Sequence, residues 1–184
     1  MILYHAGFEE IRDPDVHYGR KNADFGQGFY TTDDREFACR WAKGRKGEGA
    51  VVNVYELKEE GLDLYRFSRD ETWYSYIYGN RHLHPDGIEA DVILGPIAND
   101  TIYNSLGIIA SGFWSEAEAL RLLKIGPEYR QIVIKTQKAA ANLHWLSATV
   151  LTLEELADFQ KTVRKEEEAY QRQLAKELKC MEPP

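Results

Sequence analysis

Stretches patterned as strands and stretches patterned as helices follow one another irregularly along this chain of 184 residues. The β-branched run Ala50–Leu57 and the run Gln131–Thr136 are typical of strands. Residues 152–179 contain neither Gly nor Pro, and their apolar residues keep rough helical spacing. The patterns share no period and repeat no strand–helix–strand unit. We therefore predict an α+β fold rather than a parallel doubly wound sheet.

Weaker patterns complete the predicted order of elements. Capping-box spacing, which opens a helix, occurs at Asp33–Glu36, Ser115–Glu118 and Thr152–Glu155. The first of these helices should run for about ten residues, the second should reach Leu123, and the third is the long C-terminal helix. Further strands are predicted at Ile2–His5, Leu62–Phe67 and Asp91–Leu94, and the last of these is ended by Gly95-Pro96. Further helices are predicted at Arg69–Tyr78, where Gly79-Asn80 ends the helix, and at Asn99–Leu106. A turn is predicted at Lys43–Gly47.

The C-terminal segment differs in kind from the rest of the chain. We predict a domain over residues 1–150 and a charged helix over residues 151–184. Two interpretations of the helix stay open: it packs along the domain with a solvated outer face, or its apolar stripe binds a partner protein or a second copy. The stripe comprises Leu153, Leu156, Phe159, Val163, Tyr170, Leu174 and Leu178.

Composition limits the classes of protein that fit. The formal net charge of −7 does not indicate a nucleic-acid binder, although a local basic rim would suffice for one. Cys39 and Cys180 lie far apart and outside any metal-ligand spacing, as expected for a reducing compartment. No apolar run approaches the roughly 20 residues of a membrane span, and the N-terminus lacks signal-peptide features. We expect a cytoplasmic protein without membrane contact.

A glycine-spaced aromatic loop, Asp24–Thr32, is the most specific motif. Gly26 and Gly28 allow the backbone to take positive φ or to approach a ligand closely. These glycines sit between aromatic residues, which would hold a flat heterocycle. The loop therefore suits a nucleotide-binding site.

Three polar residues stand at the edges of predicted elements: His5 ends the first strand, Tyr30 follows the glycine loop, and Gln131 opens a later strand. Each alone is explained by a structural role. In this order and context they resemble the ADP-ribosyltransferase superfamily, in the His-Tyr-Glu branch shared by diphtheria-type toxins and poly(ADP-ribose) polymerases. In that branch one strand ends in His-Gly-Ser, a second element carries Gly-x-Tyr, and a later strand opens with Glu.

The chain also resembles a bacterial group known as domain of unknown function 3990. Members of that group read Leu-Tyr-His-Gly-Ser, Asp-Phe-Gly-x-Gly-Phe-Tyr, Asp-Ile-x-x-Gly-Pro-x-Ala-Asp, and Gln before an apolar strand. The corresponding segments here are Leu3–Gly7, Asp24–Tyr30, Asp91–Asp100 and Gln131–Val133. This resemblance covers about residues 2–145 and implies an ADP-ribosyltransferase-like split β-sandwich with flanking helices.

The resemblance implies NAD as co-substrate and a task for each matching residue. His5 would hydrogen-bond ribose hydroxyls, and Tyr30 would stack on the nicotinamide, with Tyr4 or Phe25 as further walls. Gln131 would bind the 2′-hydroxyl of the ribose under attack, where orientation and charge stabilisation lower the barrier to loss of nicotinamide. The implied catalytic set is Gln131, Tyr30 and His5, and the implied NAD-binding set is His5, Ala6 through its backbone, Asp24, Phe25, Gly26, Gly28 and Tyr30. Arg20, in the long loop between the first two motifs, either clamps the pyrophosphate and joins this set or is a solvated loop charge.

Two departures from the branch affect the expected activity. Ala6 and Gly7 replace the Gly and Ser of the first motif, so a serine hydroxyl is missing. Gln131 stands where the transferases have Glu, and a neutral amide orients a hydroxyl but supplies neither a negative charge nor a general base. Three outcomes follow: activity is modest, the protein only binds NAD, or another carboxylate contributes, with Asp24, Asp91 and Asp100 as candidates.

The expected function is transfer of ADP-ribose from NAD to a macromolecule, protein or nucleic acid, as in the toxin of a toxin–antitoxin or phage-defence system. Alternatives are an NAD glycohydrolase, an NAD-binding pseudoenzyme, or an interaction module that binds an antitoxin or a second copy through its C-terminal helix. The run His82-Leu83-His84-Pro85-Asp86 resembles the ligands of some metal hydrolases. Since no buried strand precedes it and no cysteine lies nearby, we expect no metal site.

Overall fold

A computed structural model of the chain describes residues 1–44, 49–84, 87–103 and 113–181. The strands are β1 Ile2–Gly7, β2 Phe29–Thr31, β3 Ala50–Leu57, β4 Leu64–Arg66, β5 Val92–Pro96, β6 Arg130–Ile134 and β7 Leu143–Leu151. The helices are α1 Arg35–Trp41, α2 Glu71–Arg81, α3 Asn99–Ile102, α4 Glu116–Leu123, α5 Gln137–Ala141 and α6 Leu153–Met181. The predicted α+β class and the long C-terminal helix are confirmed.

The strands form two sheets that are joined by one backbone bridge. Sheet A has the order β1-β3-β7, and sheet B has the order β2-β6-β5-β4. The backbones of Tyr4 and Thr32 exchange hydrogen bonds of 2.8 and 3.0 Å, which join β1 to the end of β2. Beyond this bridge β1 and β2 separate, because β1 continues in sheet A while β2 pairs with β6. We call the opening between them the split.

An apolar core fills the space between the sheets. Alternate residues of each strand point into it, as the two-residue period of strands requires. Its fully buried members include Leu3 of β1, Tyr55 of β3 and Ile134 of β6. This core fixes the register of both sheets, since a one-residue slip would turn every one of these side chains to the other face.

Helices cover the other face of each sheet. On sheet B, α2 and α4 bury Trp73 and Leu122 against Ile93 and Val133. On sheet A, α1 packs Ala38 and Cys39 against β3. Both helical layers are apolar on the side that faces the sheet, as expected for helices that cover a core.

Helix α6 contributes to both helical layers. Leu156 joins the cluster around α1, whereas Tyr170 and Leu174 lie in the cluster around α2 and α4. The ring of Tyr170 stacks on Tyr103 at 4.5 Å. The boundary predicted between residues 150 and 151 thus falls at the end of β7, and the helix beyond it completes the cores of the part before it. No helix among the described residues is both long enough and apolar enough to cross a membrane.

Several predicted elements form as expected. β3 has the predicted bounds, and the capping boxes at Ser115–Glu118 and Thr152–Glu155 are both made. The helix predicted from Asn99 includes α3, but residues 104–106 of that prediction lie outside the described residues, as do residues 45–47 of the predicted turn.

Other predictions were wrong in their bounds. α1 is capped by Asp34, whose side chain accepts from Phe37 N, instead of by Asp33, and it has 7 residues. α2 passes through Gly79-Asn80 to Arg81, because the Asn80 amide donates within the helix to Tyr76 O at 3.0 Å and outside it to Asp24 O at 3.2 Å. β5 includes Gly95-Pro96, and β7 and α5 were not predicted.

Candidate functional site

The glycine loop is closed by the phenol of Tyr30. The hydroxyl donates to Gly26 O at 2.7 Å and accepts from Phe25 N at 3.0 Å. Burial raises the pKa of this hydroxyl, so it stays protonated and can donate. The loop and the residue predicted to stack on nicotinamide thus form one hydrogen-bonded unit.

The two glycines of the loop serve different geometric needs. Gly26 has a φ of 69°, a left-handed backbone conformation that residues other than glycine rarely adopt. At Gly28 a Cβ would lie 2.6 Å from Val133 Cγ1 and 2.8 Å from Ile134 O. Gly28 therefore lets the loop lie directly on β6, and its close approach is to this strand.

A buried ion network fixes the first residue of the loop. Arg81 Nε donates to Asp24 at 2.8 Å, and its two terminal nitrogens donate to Asp100 at 2.7 and 2.9 Å. Thr101 also accepts from Arg81, at 2.6 Å. Burial opposes the charge of Arg81, but hydrogen bonds and attraction from both carboxylates outweigh it and raise the pKa of the guanidinium. Asp24 and Asp100 are thus engaged in holding the loop to α2 and α3.

Lys135 lies beneath the glycine loop. Its ammonium donates to Phe25 O, and its side chain runs close to Gly26 and Gly28, where a Cβ would lie 3.2 Å from Nζ and 3.3 Å from Cδ. Burial lowers the pKa of Lys135 to about 8. No carboxylate of the described residues forms an ion pair with it, so the cation depends on a single carbonyl.

His5 occupies the split between β1 and β2. Its Nδ1 lies 2.7 Å from Tyr30 O, and because a carbonyl only accepts, Nδ1 carries the proton. Burial lowers the pKa of His5 despite this hydrogen bond, which favours the neutral ring. Nε2 is then an acceptor without a partner among the described residues.

The backbone of Ala6 faces the same opening. Alternate residues of an antiparallel strand direct their N–H and C=O groups to opposite edges. Since Tyr4 hydrogen-bonds to Thr32, the backbone groups of Ala6 point toward the same edge, where β2 has diverged. The split therefore presents a peptide donor and acceptor beside the imidazole of His5.

Gln131 begins the buried part of β6, next to Thr32. Its side chain is 5% exposed, and Nε2 has no hydrogen-bond partner among the described residues. A buried donor without an acceptor costs about 1–3 kcal/mol. The amide is the kind of group that a ligand hydroxyl or carbonyl would satisfy.

The sheet register decides which of the three predicted catalytic side chains share a face. Tyr30 pairs with Val133, and Gln131 lies two residues before Val133, so the phenol and the carboxamide are on the helix-covered face of sheet B. His5 alternates with Tyr4 and belongs to the opposite face, alongside Leu3. The imidazole reaches the backbone of Tyr30 but points away from its ring. The structure thus brings Tyr30 and Gln131 to one face of sheet B, whereas the His5 ring lies on the inner side of the sheets, 4.4 Å from the ring of Phe29.

Two predicted contact residues differ in their surroundings. Phe25 is fully buried and packs against Phe67 and Tyr76 at centroid distances of 5.6 and 5.7 Å, so the prediction of its ring as a wall of the binding site is corrected. Arg20 is exposed, and it lies close enough to Tyr30 to act on the phenol. Arg20 is therefore an exposed cation near the loop.

Asp91 has a structural environment. It accepts hydrogen bonds from Thr136 at 2.6 Å, Lys138 at 2.7 Å and Asp63 N at 3.0 Å. Hydrogen bonds from Lys138, Thr136 and Asp63, in that order, lower the pKa of Asp91 to about 2. All three candidate carboxylates are therefore engaged within the protein, and none is a free base beside Gln131.

No group of three or more His, Cys, Asp or Glu side chains within the described ranges is placed to hold a metal ion. His82 hydrogen-bonds Tyr78 O through Nδ1 at 2.8 Å and stacks on the Tyr78 ring at 4.1 Å. Pro85 and Asp86 of the predicted His-x-His-x-Asp run lie outside the described residues.

Sequence reasoning missed Arg81 and Lys135. The sequence pattern could have indicated Lys135, because Gln131, Val133 and Lys135 alternate along one predicted strand and must share a face. No sequence pattern indicated Arg81, since the preceding Gly79-Asn80 predicted the end of the helix. Its role depends on a contact with Asp24, 57 positions away in the chain.

Comparison with known proteins identifies the family. The family model described as "Protein of unknown function (DUF3990)" matches residues 1–145. Searches of curated proteins and of solved structures found no significant match. The matched residues include the glycine loop, the split and Gln131, and they end within β7. The chain therefore belongs to the DUF3990 family.

Proposed function

We propose that this protein is an NAD-dependent mono-ADP-ribosyltransferase that cleaves the nicotinamide–ribose bond and transfers ADP-ribose to a macromolecule. The observation that supports it most is the orphaned amide of Gln131, buried on the same sheet face as Tyr30. A buried donor without an acceptor is costly in the free protein and favourable once a ligand supplies one. A ribose hydroxyl is such an acceptor.

Each residue has a task that its geometry allows. The neutral ring of His5 has Nε2 available to accept a hydrogen bond from a ribose hydroxyl. The backbone of Ala6 offers the donor and acceptor that a carboxamide needs. Tyr30, held by Gly26 and Phe25, presents a ring of fixed orientation, and such pre-organisation lowers the cost of binding. Arg20 supplies a cation for the pyrophosphate.

The split β-sandwich of the ADP-ribosyltransferases belongs to the same proposal. The two sheets joined at Tyr4 and Thr32, with β1 and β2 diverging beyond them, agree with such an architecture. The acceptor is a protein or a nucleic acid, and a role as the toxin of a toxin–antitoxin or phage-defence system suits a small transferase.

A second candidate function is supported by one specific observation. Gln131 is neutral, and Asp24, Asp91 and Asp100 are engaged elsewhere. Without a carboxylate beside the reacting sugar, binding of NAD without turnover, or slow NAD hydrolysis, fits the site as well as transfer does. The third hypothesis is that the protein is an interaction module that acts only through α6.

The experiment that separates these functions incubates the full chain with NAD and cell extract. Released nicotinamide and protein- or nucleic-acid-bound ADP-ribose are measured together, and NAD binding is followed by calorimetry. Labelled macromolecules support transfer, nicotinamide release without label supports hydrolysis, and binding alone supports the pseudoenzyme. Absence of both binding and release would reject the proposal.

Matched variants locate the activity. We expect Tyr30→Ala and His5→Ala each to abolish NAD binding or turnover. His82→Ala should change neither, because His82 hydrogen-bonds and stacks only within its own helix turn. Loss of activity in the His82 variant alone would point to metal chemistry instead.

A further inference from the structure

A cavity of about 480 Å³ lies between α1 and α6. This volume is within the range of small-molecule sites, about 300–1,000 Å³. Its lining on one side comes from α1, and on the other from the middle of α6, including Gln160 and Val163. α6 lies beyond the residues that the family model matches, so one wall of the cavity comes from outside the matched region.

Aromatic rings form part of the lining. Phe37 and Tyr129 stack at 4.4 Å with an interplanar angle of 19°, and Trp41 meets Phe37 edge-on at 4.9 Å. All three rings line the cavity. Phe37 and Tyr129 cover each other, and Trp41, which is 40% exposed, offers flat apolar contact to an aromatic ligand.

The charges in the lining oppose those of the whole protein. The lining contains three cations, Arg40, Lys43 and Arg164, and one carboxylate, Glu166, whereas the chain as a whole carries −7. A local excess of cations on an acidic protein attracts an anion. The combination of rings and cations selects a ligand that has both a flat ring and a strong negative charge.

Glu166 already occupies the position of such an anion. Its carboxylate accepts from Arg40 at 2.5 Å and from the Tyr129 hydroxyl at 3.1 Å. The guanidinium of Arg40 also lies over the Tyr129 ring at 5.2 Å, and its Nε is buried without a partner among the described residues. Arg40 thus has a donor left over after Glu166 is satisfied.

We propose that the cavity between α1 and α6 binds a nucleoside monophosphate, whose phosphate replaces Glu166 on Arg40 while its base lies against the aromatic lining. A phosphate presents several acceptor oxygens and up to two negative charges, and it can use more donors of Arg40 than one carboxylate does. The anchors of α6 flank the cavity: Leu156 lies before it and Tyr170 beyond it. Displacement of Glu166 therefore leaves the helix attached. Neither Tyr30 nor Gln131 lines this cavity, and the proposal does not rest on the proposed transferase activity.

Calorimetric titration with AMP, adenosine and inorganic phosphate tests the site on the full chain. AMP should bind with a Kd below about 1 mM, and adenosine and phosphate at least tenfold more weakly, because each uses half of the site. Equal affinity for AMP and adenosine, or absence of AMP binding to both the wild-type protein and Glu166→Gln, would overturn the proposal.

Three variants place the ligand in this cavity. Glu166→Gln removes the internal competitor and should tighten AMP binding about three- to tenfold. Arg40→Gln should weaken it at least tenfold, and Arg164→Gln, an exposed position that leaves the fold intact, should weaken it about threefold. Lys161→Gln is the control, since Lys161 pairs with Asp158 at 2.8 Å outside the cavity. AMP binding that is unchanged in both arginine variants would show that the nucleotide binds elsewhere.

Discussion

The hydroxyl of Tyr30 donates to the carbonyl of Gly26 at 2.7 Å, so an aromatic residue closes the loop that precedes it in the chain. The same oxygen accepts from Phe25 N at 3.0 Å. Binding of a ligand against the Tyr30 ring is thereby coupled to the conformation of the loop, because the ring cannot shift without breaking two hydrogen bonds.

Tyr30→Phe should lower the free energy of unfolding by about 1–2 kcal/mol, because Gly26 O and Phe25 N lose a partner. Urea denaturation of the ligand-free protein measures the change. Tyr18→Phe is the matched control: the Tyr18 side chain is 93% exposed, and the loss should stay within about 0.5 kcal/mol. If Tyr30→Phe were as stable as the wild-type protein, the loop closure would contribute nothing.

Arg81→Met should lower the free energy of unfolding far more than Tyr30→Phe does. It leaves the carboxylates of Asp24 and Asp100 buried without their cation, which costs about 3–5 kcal/mol. Arg66→Met, which removes the exposed pair with Glu59 at 3.7 Å, should cost less than about 1 kcal/mol. In the Arg81→Met background, Asp100→Asn should recover part of the lost free energy of unfolding, because it removes an unpaired buried charge. If the destabilising effects of the two substitutions simply added, Arg81 and Asp100 would not be energetically coupled.

Lys135 gives a pH dependence with a defined sign. Burial lowers its pKa to about 8 from the ordinary 10.5, so between these values the unfolded chain binds more protons than the native protein. The contribution of Lys135 to the free energy of unfolding therefore rises from pH 8 to pH 10.5 and is flat below pH 8. The wild-type protein should gain about 1–2 kcal/mol relative to Lys135→Met over this window, after allowance for partial solvent access. Urea midpoints at several pH values measure the difference, and a constant difference would contradict it.

Gln131→Met removes a buried donor that has no acceptor among the described residues. The free energy of unfolding of the ligand-free protein should rise by about 1 kcal/mol, because the cost of burying an unsatisfied donor is removed. Thermal and urea denaturation measure this gain. Destabilisation by Gln131→Met would show that the amide is satisfied in the free protein.

Gln131→Glu tests the chemistry of the proposed transferase. A carboxylate at this position would stabilise positive charge on the ribose and serve as a base, so the ratio of transfer to NAD hydrolysis should change. Nicotinamide release and ADP-ribose incorporation, measured side by side, give the ratio. If neither rate changed, Gln131 would lie outside the reacting centre.

Parts of the fold could be predicted because local signals agreed with the tertiary structure. The β-branched run of β3 and the capping box of α4 needed no distant partner. β7 was missed because it is an edge strand that mixes polar and apolar residues. Its alternation of inward and outward side chains is also broken at Leu146, an extra residue opposite Val54 and Tyr55. The end of α2 was missed because Asn80, a residue that usually favours turns, is held in the helix by Asp24 O.

The candidate site was predictable as a set of residues but not as an arrangement. The glycine loop and its neighbours stood out as a motif. That the phenol of Tyr30 folds back on Gly26, and that His5 reaches Tyr30 O across the split, depends on where two strands diverge. No local pattern encodes that divergence, since it arises from the pairing of β1 with β3 and of β2 with β6.

The family match stops at residue 145, whereas β7 runs to Leu151 and α6 supplies Tyr170 and Leu174 to the interior. A recombinant fragment trimmed to the matched region would uncover the backbone of β3 along residues 50–54, an open edge of the kind that recruits other chains into aggregates. It would also leave a hole beside Tyr103. If such a fragment were inactive, misfolding would be the cause, so activity should be assayed with protein that extends through the end of α6.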